Sequence, residues 1–452
     1  MIDKKIKKYI YSPLATLQEA IHDLYYKKTG ICLICDKKNR LCGVATMRDI
    51  KEMIWKGFDP TSPLSIAMNK NFVAANDQTS EQELKKLSTK RTRYDQGYLE
   101  KIPMINKLGK LTGLYVNKQS KNTYRPKSVL ITGAAGYVGS ILCQKLLERG
   151  YGVIALDNLG FGKQSIEDLI DHQEFSLLNG DIRNIDDLIE GIRKADYVIH
   201  LAGIVGDPAS SVDPVHTMEI NHFSTKLLIE LCKHYQVSRL VFASSCSVYG
   251  ASHNVLTEKS KLSPLSLYAK TKVSAEKFLL AETGKYFHPV ILRFGTLYGL
   301  SKRMRFDLVV NTMAANAYFN KKIIVDGGSQ WRPLLHVSDA AEVCIRALEA
   351  PLSKISGEIF NVGSNHQNFK IKSIAGIINK LVPGSKIIQK NTVKDPRDYK
   401  VSFSKIKRAM NFYTSIPLKK GIEDVLGAFK IGQYTDFSEP KYNNHLTLIR
   451  NI

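Results

Sequence analysis

The chain has 452 residues, of which 44% are hydrophobic and 24% charged, with a formal net charge of +23. That is ordinary globular composition, long enough for about two to four domains and for a core that needs no covalent staples. Seven scattered cysteines argue against a disulfide framework, and no apolar run approaches the length of a membrane span.

The first residues, MIDKKIKKYIYS, hold no signal-peptide core, so a reducing, cytoplasmic location is the expectation. The N-terminal 127 residues carry 25 Lys+Arg against 12 Asp+Glu, more than half of the net charge. Such a surface either faces an anion or is simply solvated; its basic runs are too short to name nucleic acid as a partner. Cys32 and Cys35 have CxxC spacing with Cys42 nearby, but no second pair or His cluster follows. ICLIC reads as a buried strand, so no metal site is expected.

Thr16-Leu-Gln-Glu19 is a capping box opening a helix. An apolar run, a polar turn, the strand LCGVAT and the helix MRDIKEMIWKG follow. Ser80-Glu-Gln-Glu83 opens a second helix, and KIPMINK and LTGLYV repeat the strand pair, with Gly43 and Gly113 in matching places 70 residues apart. Two such α/β units pack together because neither buries its apolar face alone. This repeat, about residues 8–118, resembles a tandem pair of CBS modules, carried by Gly43-Val-Ala-Thr46-Met-Arg-Asp49. The resemblance implies that Thr46 and Asp49 hold ribose hydroxyls of an adenine nucleotide. Val116 and Gln119 replace them in the second copy, so at most one regular site is expected. The alternative is a structural or dimerisation unit without ligand.

A polar stretch at 121–127 reads as a linker, and SVLIT then opens a buried parallel strand. Gly133, Gly136 and Gly139 follow, with Tyr137 and Val138 between, leading into an amphipathic helix. Glycines here let the chain turn sharply, let the backbone approach a pyrophosphate, and let helix and strand pack closely. The helix N-terminus offers N–H groups to the phosphates. A second strand ends in Asp157-Asn158, 24 residues beyond Gly133, where a carboxylate accepts ribose hydroxyls and repels a 2′-phosphate, favouring NAD. Asp181 and Ile182 end a further strand beside the adenine. Leu201, Ala202 and Gly203 end the next one beside the cofactor.

Tyr268 and Lys272 lie four residues apart, on one face of a helix. The ammonium is expected to lower the phenol's pKa toward neutrality, so that Tyr268 takes a proton from a sugar hydroxyl while hydride leaves. A Ser-rich strand end, RLVFASSCSVYG, lies just upstream. Together these residues resemble the extended short-chain dehydrogenase/reductases, the nucleotide-sugar epimerases and dehydratases, over about 127–430. The resemblance implies Tyr268 as acid/base, Lys272 as its partner, Ser245 as the hydroxyl that binds the same substrate oxygen, and Asn221 near the cofactor. It also implies that Arg332 and Arg397 clamp the substrate diphosphate and that Thr296 faces the sugar, where relatives often carry Asn. Family dehydratases carry an acidic pair where this chain has Ser245-Cys246-Ser247, so oxidation and reduction, most often epimerisation at C4, is favoured over elimination.

SKRMRFD, residues 301–307, reads either as a basic wall near the substrate's nucleotide or as an exposed loop. His336 reads as packed rather than catalytic. The expected fold is a Rossmann doubly wound parallel sheet (α/β) with a small C-terminal substrate-binding region over 128–452, preceded by an α+β tandem CBS module over 1–120. The expected function is that of an NAD-dependent nucleotide-sugar epimerase, regulated through the first module and paired as a homodimer. The alternatives are a nucleotide-sugar dehydrogenase, reductase or dehydratase, and a non-catalytic nucleotide-sensing scaffold.

Overall fold

The computed structural model describes residues 2–27, 29–88, 101–117, 127–390 and 397–450. The chain forms two compact units, one spanning Met1–Pro126 with Lys233–Gln236 and the other holding the remainder. Most of the segment expected as a linker lies outside the described residues, as does Gln119.

The N-terminal unit contains β1 (Ile2–Asp3), β2 (Ile10–Tyr11), α1 (Leu17–Tyr26), β3 (Cys32–Cys35), β4 (Leu41–Ala45), α2 (Met47–Trp55), β5 (Ala75–Asn76), α3 (Glu81–Ser88), β6 (Lys101–Ile105) and β7 (Leu111–Val116). The internal repeat is present in detail. In each half a short strand pairs in parallel with the next, which forms an antiparallel hairpin with the third. Ile34 faces Gly43 and Met104 faces Gly113, and both ladders slip register at the next residue. Each hairpin turn is pinned by one side chain: Asp36 accepts from the Lys38 and Arg40 amides, and Asn106 from those of Leu108 and Lys110. Thr16 and Glu19 cap α1 reciprocally, and Ser80 and Glu83 repeat the arrangement at α3.

Strand β3 is buried on both faces. Cys32 and Ile34 pack with Leu17, Ile21, Ile50 and Ile54 under the helices, whereas Leu33 and Cys35 pack with Leu111 and Leu114 of the second half. The two thiols therefore face opposite sides, and burial pushes Cys32 up to about 12 and Cys35 up to about 11. Among the described residues no cluster of His, Cys, Asp or Glu could hold a metal ion, and no helix is long and apolar enough to cross a membrane.

The second unit is built on β8 (Ser128–Thr132), α4 (Gly139–Glu148), β9 (Gly152–Asp157), β10 (Phe175–Asn179), α5 (Ile185–Lys194), β11 (Tyr197–His200), α6 (Ser224–His234), β12 (Arg239–Ser245), α7 (Leu267–Ala281), β13 (His288–Phe294), β14 (Thr296–Tyr298), α8 (Val309–Asn320), β15 (Lys322–Asp326), β16 (Trp331–His336), α9 (Val337–Glu349), β17 (Glu358–Val362), β18 (Asn368–Lys370), α10 (Ile371–Leu381), β19 (Lys386–Lys390) and α11 (Leu418–Lys430). Seven strands form one parallel sheet in the order β10-β9-β8-β11-β12-β13-β17. Strands β8, β9, β11 and β13 are buried almost throughout, as a sheet covered by crossover helices requires. The strand order reverses between β8 and β11, and in such sheets ligands bind beyond the carboxyl ends at that point.

A second core lies under the C-terminal region, where β14, β16 and β18 form a small sheet. Tyr298, Phe306, Leu334, Ile374, Ile422 and Phe429 fill it, each buried aliphatic contributing roughly 1.5–3 kcal/mol. His336 is packed here, edge-on to Tyr298, its Nδ1 accepting from the Ser338 amide and its pKa pushed down to about 4 by burial. The run 301–307 is not an exposed loop. Arg303, Met304, Arg305 and Phe306 are all buried, because the aromatic cluster around Phe306 draws the segment inward.

Candidate active site

The glycine turn joins β8 to α4. Gly133 has φ +74°, and a Cβ there would stand 2.8 Å from the Ala202 nitrogen, so conformation and space both require glycine. A Cβ at Gly139 would lie 2.2 Å from the Gly133 carbonyl oxygen; the helix can start this close to the strand only with hydrogen at that position. No described side chain caps α4 at Val138, so the positive end of its dipole stands at the glycine turn without a side-chain partner.

Asp157 ends β9 beside this turn. Its carboxylate accepts from the Ala135 amide at 3.0 Å and the Leu159 amide at 2.8 Å, so it shapes the turn as well as facing the crevice, with Asn158 next to it. Burial raises its pKa, against the pull of those two amides. Asp181 is less free than its position suggested. Arg183 grips both of its oxygens and reaches on to Glu219, and these bonds outweigh burial and hold Asp181 below the usual carboxylate range. Ile182 is buried beside it.

Leu201, Ala202 and Gly203 follow β11, and the Leu201 and Ala202 amides bond to Thr132. Asn221 sits in a π-turn, Glu219–Phe223, and its side chain both accepts from and donates to the backbone of Ile204. It thereby fixes the loop after Gly203. Tyr137 is buried. Its ring lies in the C-terminal core, its hydroxyl donates to the Gly299 carbonyl at 2.6 Å, and Asn311 donates to it at 3.1 Å. The side chain ties the glycine turn to the C-terminal core.

Ser245, Tyr268 and Lys272 come together at the end of β12. The Ser245 hydroxyl stands near the Tyr268 phenol and draws its pKa down. Lys272 Nζ lies 5.7 Å from the Tyr268 ring centre, donates to the Ala243 carbonyl at 2.8 Å and stands close to Gly203. Burial pushes Tyr268 up to about 12, with Ser245 and Arg305 pulling the other way. Burial also pushes Lys272 down to about 8, although Glu276 opposes it. Two buried groups that each lose solvation when charged account for both shifts.

The two arginines named from sequence meet. Arg332 is buried, and its guanidinium donates to the carbonyls of Trp331 and Arg397. The Arg397 guanidinium pairs with Asp207 at 3.0 Å. Thr296 lies half-buried on β14, paired with Leu334.

Sequence reasoning missed Asp207, whose charge reaches Tyr268, in the loop GIVGDPASS. It also missed Glu276, one helical turn after Lys272, a spacing that could have signalled it. Arg305 was seen only as part of a basic run; it pairs with Asp307 at 2.7 Å and its charge reaches the phenol.

The NAD dependent epimerase/dehydratase family matches residues 129–363, just over half of the chain. The putative UDP-glucose 4-epimerase of Methanocaldococcus jannaschii is 30% identical over 315 residues, covering 67% of this chain and 98% of that protein. The UDP-glucuronate 4-epimerase of Thermodesulfobacterium geofontis is 30% identical over 310 residues, covering 65% of this chain and 93% of that protein. A crystal structure of UDP-glucuronic acid 4-epimerase from Bacillus cereus, in complex with UDP-glucuronic acid and NAD, is similar with a TM-score of 0.61 at 27% identity, over 68% of this chain and 100% of that one. Matched over its Rossmann unit and along nearly the whole length of these relatives, the chain belongs to the NAD dependent epimerase/dehydratase family, and its cofactor is NAD.

Proposed function

We propose that the protein is a UDP-sugar 4-epimerase that keeps NAD bound through its cycle. The observation that carries this reading is the meeting of Tyr268 and Ser245 with Lys272, whose Nζ lies 5.7 Å from the Tyr268 ring centre and close to Gly203. NAD, when bound, accepts the hydride and returns it. Tyr268 takes the C4 hydroxyl proton and gives it back. Ser245 holds the same oxygen, and Lys272 favours the phenolate by its charge. The high pKa of the phenol in the free chain fits a base that is activated only once the positive nicotinamide arrives. Arg332 and Arg397 suit the diphosphate, since a guanidinium matches phosphate oxygens two at a time. With UDP-glucose or UDP-glucuronate supplied, the expected product is the C4 epimer without net NADH, and NAD released by denaturation should approach one per chain. Net NADH formation without epimer would overturn the reading.

A second reading has one observation behind it. Ser245-Cys246-Ser247 offers no carboxylate for elimination, but Asp207 approaches the phenol from another loop. Held by Arg397 it is a poor proton carrier; freed by the substrate's diphosphate it could serve a dehydratase. A 4-keto-6-deoxy product would decide for that reading.

For the N-terminal unit we infer a CBS-like regulatory module with an adenine-nucleotide site at Thr46 and Asp49. Thr46 caps α2, and Asp49 accepts from the Thr46 amide and hydroxyl, both at 2.7 Å, so the pair stands at a helix N-terminus suited to a ribose phosphate. A homodimer is supported by exposed Val215, Phe223 and Leu280 on the helical segments around α6 and α7. Light scattering tests the pairing, and nucleotide titration tests the module.

A further inference from the structure

Three consecutive residues at the end of β12 each meet one residue of α7. The Ala243 carbonyl accepts from Lys272 at 2.8 Å, the Ser244 hydroxyl donates to Glu276 at 2.5 Å, and Ser245 stands near Tyr268. Tyr268, Lys272 and Glu276 are spaced i, i+4, i+8, so they form one stripe along the helix. Two of the three meetings belong to the acid/base set already described. The third uses a carboxylate and a hydroxyl that touch no reacting atom.

Glu276 is itself anchored. Arg293 donates to both of its oxygens, at 2.9 and 2.6 Å, and each partner is only 2% exposed. The remaining Arg293 nitrogen donates to the Tyr249 hydroxyl at 2.8 Å, which donates to Asn361 at 2.7 Å. Ser244, Arg293 and Asn361 are register partners across β12, β13 and β17. The network is thus a single rung of the sheet, one residue short of the strand end that carries Ser245, reaching up into the helix.

We propose that Glu276 and Ser244 are positioning residues: clamped by Arg293, they set the helix that carries Tyr268 and Lys272 against the strand that carries Ser245. A buried ion pair of this kind adds little net stability over an apolar pair, but it defines one arrangement where oily contacts would permit sliding. Glu276 also faces Lys272 one turn away, and its charge keeps the buried ammonium protonated. The other groups around Lys272 are Tyr268 on its own helix, the neutral His200 of β11 and the Asn221 amide beside Gly203. Beyond Glu276 stand Arg293, Tyr249 and Glu258.

This inference rests on the acid/base reading of Tyr268, so Tyr268→Phe is measured alongside. With UDP-glucose and UDP-glucuronate as probes, Glu276→Gln should lower kcat about tenfold, equivalent to roughly 1.4 kcal/mol, with KM nearly unchanged. Its alkaline limb should move to lower pH, because Lys272 loses the charge that holds its proton. Ser244→Ala keeps the ion pair and should lower kcat by a smaller factor. The double variant Glu276→Met/Arg293→Met should fold as well as the parent without recovering kcat. If Glu276→Gln does not fold, Ser244→Ala and the double variant carry the same test. Folded variants with parental kcat and pH profile overturn the proposal. If Tyr268→Phe is inactive while they remain parental, only the positioning role falls; if Tyr268→Phe keeps its activity, the acid/base reading falls first.

Discussion

The guanidinium of Arg332 donates to the backbone carbonyl of Arg397, joining two arginines that are 65 residues apart in the chain. Arg332 therefore holds the backbone from which Arg397 reaches out, and the two act as one unit. Arg397→Ala should raise KM for a UDP-sugar by about tenfold to a hundredfold while kcat holds, the pattern of a lost diphosphate contact. Arg332→Ala should do the same. The double variant should cost less than the product of the singles, because the first substitution already displaces the second residue. Steady-state kinetics with UDP-glucuronate check this; multiplicative effects would contradict it.

Tyr268→Phe removes the proton carrier but keeps the ring. We expect kcat to fall by about 10²–10⁴ with bound NAD undiminished. Denaturing the purified variant and measuring released cofactor separates loss of chemistry from loss of binding.

Lys272 is only 4% exposed and its pKa is pushed down to about 8 from an ordinary value of 10.5. Between those values the unfolded chain binds more protons than the folded one, so this group makes stability rise with pH across that window, and its full penalty is felt below pH 8. Lys272→Met should therefore raise the melting temperature at neutral pH. The gain is on the order of 1 kcal/mol once the lost bond to Ala243 is set against the relieved desolvation. The gain should shrink above pH 10, and activity should be lost throughout. Thermal melts at several pH values check both signs.

Thr46→Ala should destabilise the N-terminal unit by about 1 kcal/mol through loss of the cap. If the regulatory reading holds, AMP or ATP should raise the melting temperature of the parent protein, and less so that of Asp49→Ala. A parent protein that no adenine nucleotide stabilises would leave this unit a purely architectural role.

Local spacing made much of the site legible. Gly133, Gly136 and Gly139 lie within one turn, and Gly133 and Gly139 must be glycine for reasons of space; Tyr268 and Lys272 lie within one helical turn. The 70-residue repeat was legible for the same reason, since each half carries its own cap, hairpin and glycine. What escaped was set by partners distant in the chain. Nothing local says that Asp207 will meet Arg397, that Arg303 and Arg305 will be drawn under an aromatic cluster, or that the Tyr137 hydroxyl will find Gly299. The height of the phenol's pKa in the free chain was not legible either, because it follows from burial. Burial is a property of the finished fold.

The hydrogen bonds of Asp157 have an implication for cofactor engineering. The carboxylate suited to excluding a 2′-phosphate also receives the Ala135 and Leu159 amides that hold the phosphate-binding turn in shape. Replacing it with a small neutral residue and adding an arginine, as a swap toward NADP would suggest, would slacken that turn while changing its selectivity. Selectivity and affinity are welded together at this position. A successful exchange would need a residue such as Asn or Ser, which still accepts an amide but no longer repels the extra phosphate.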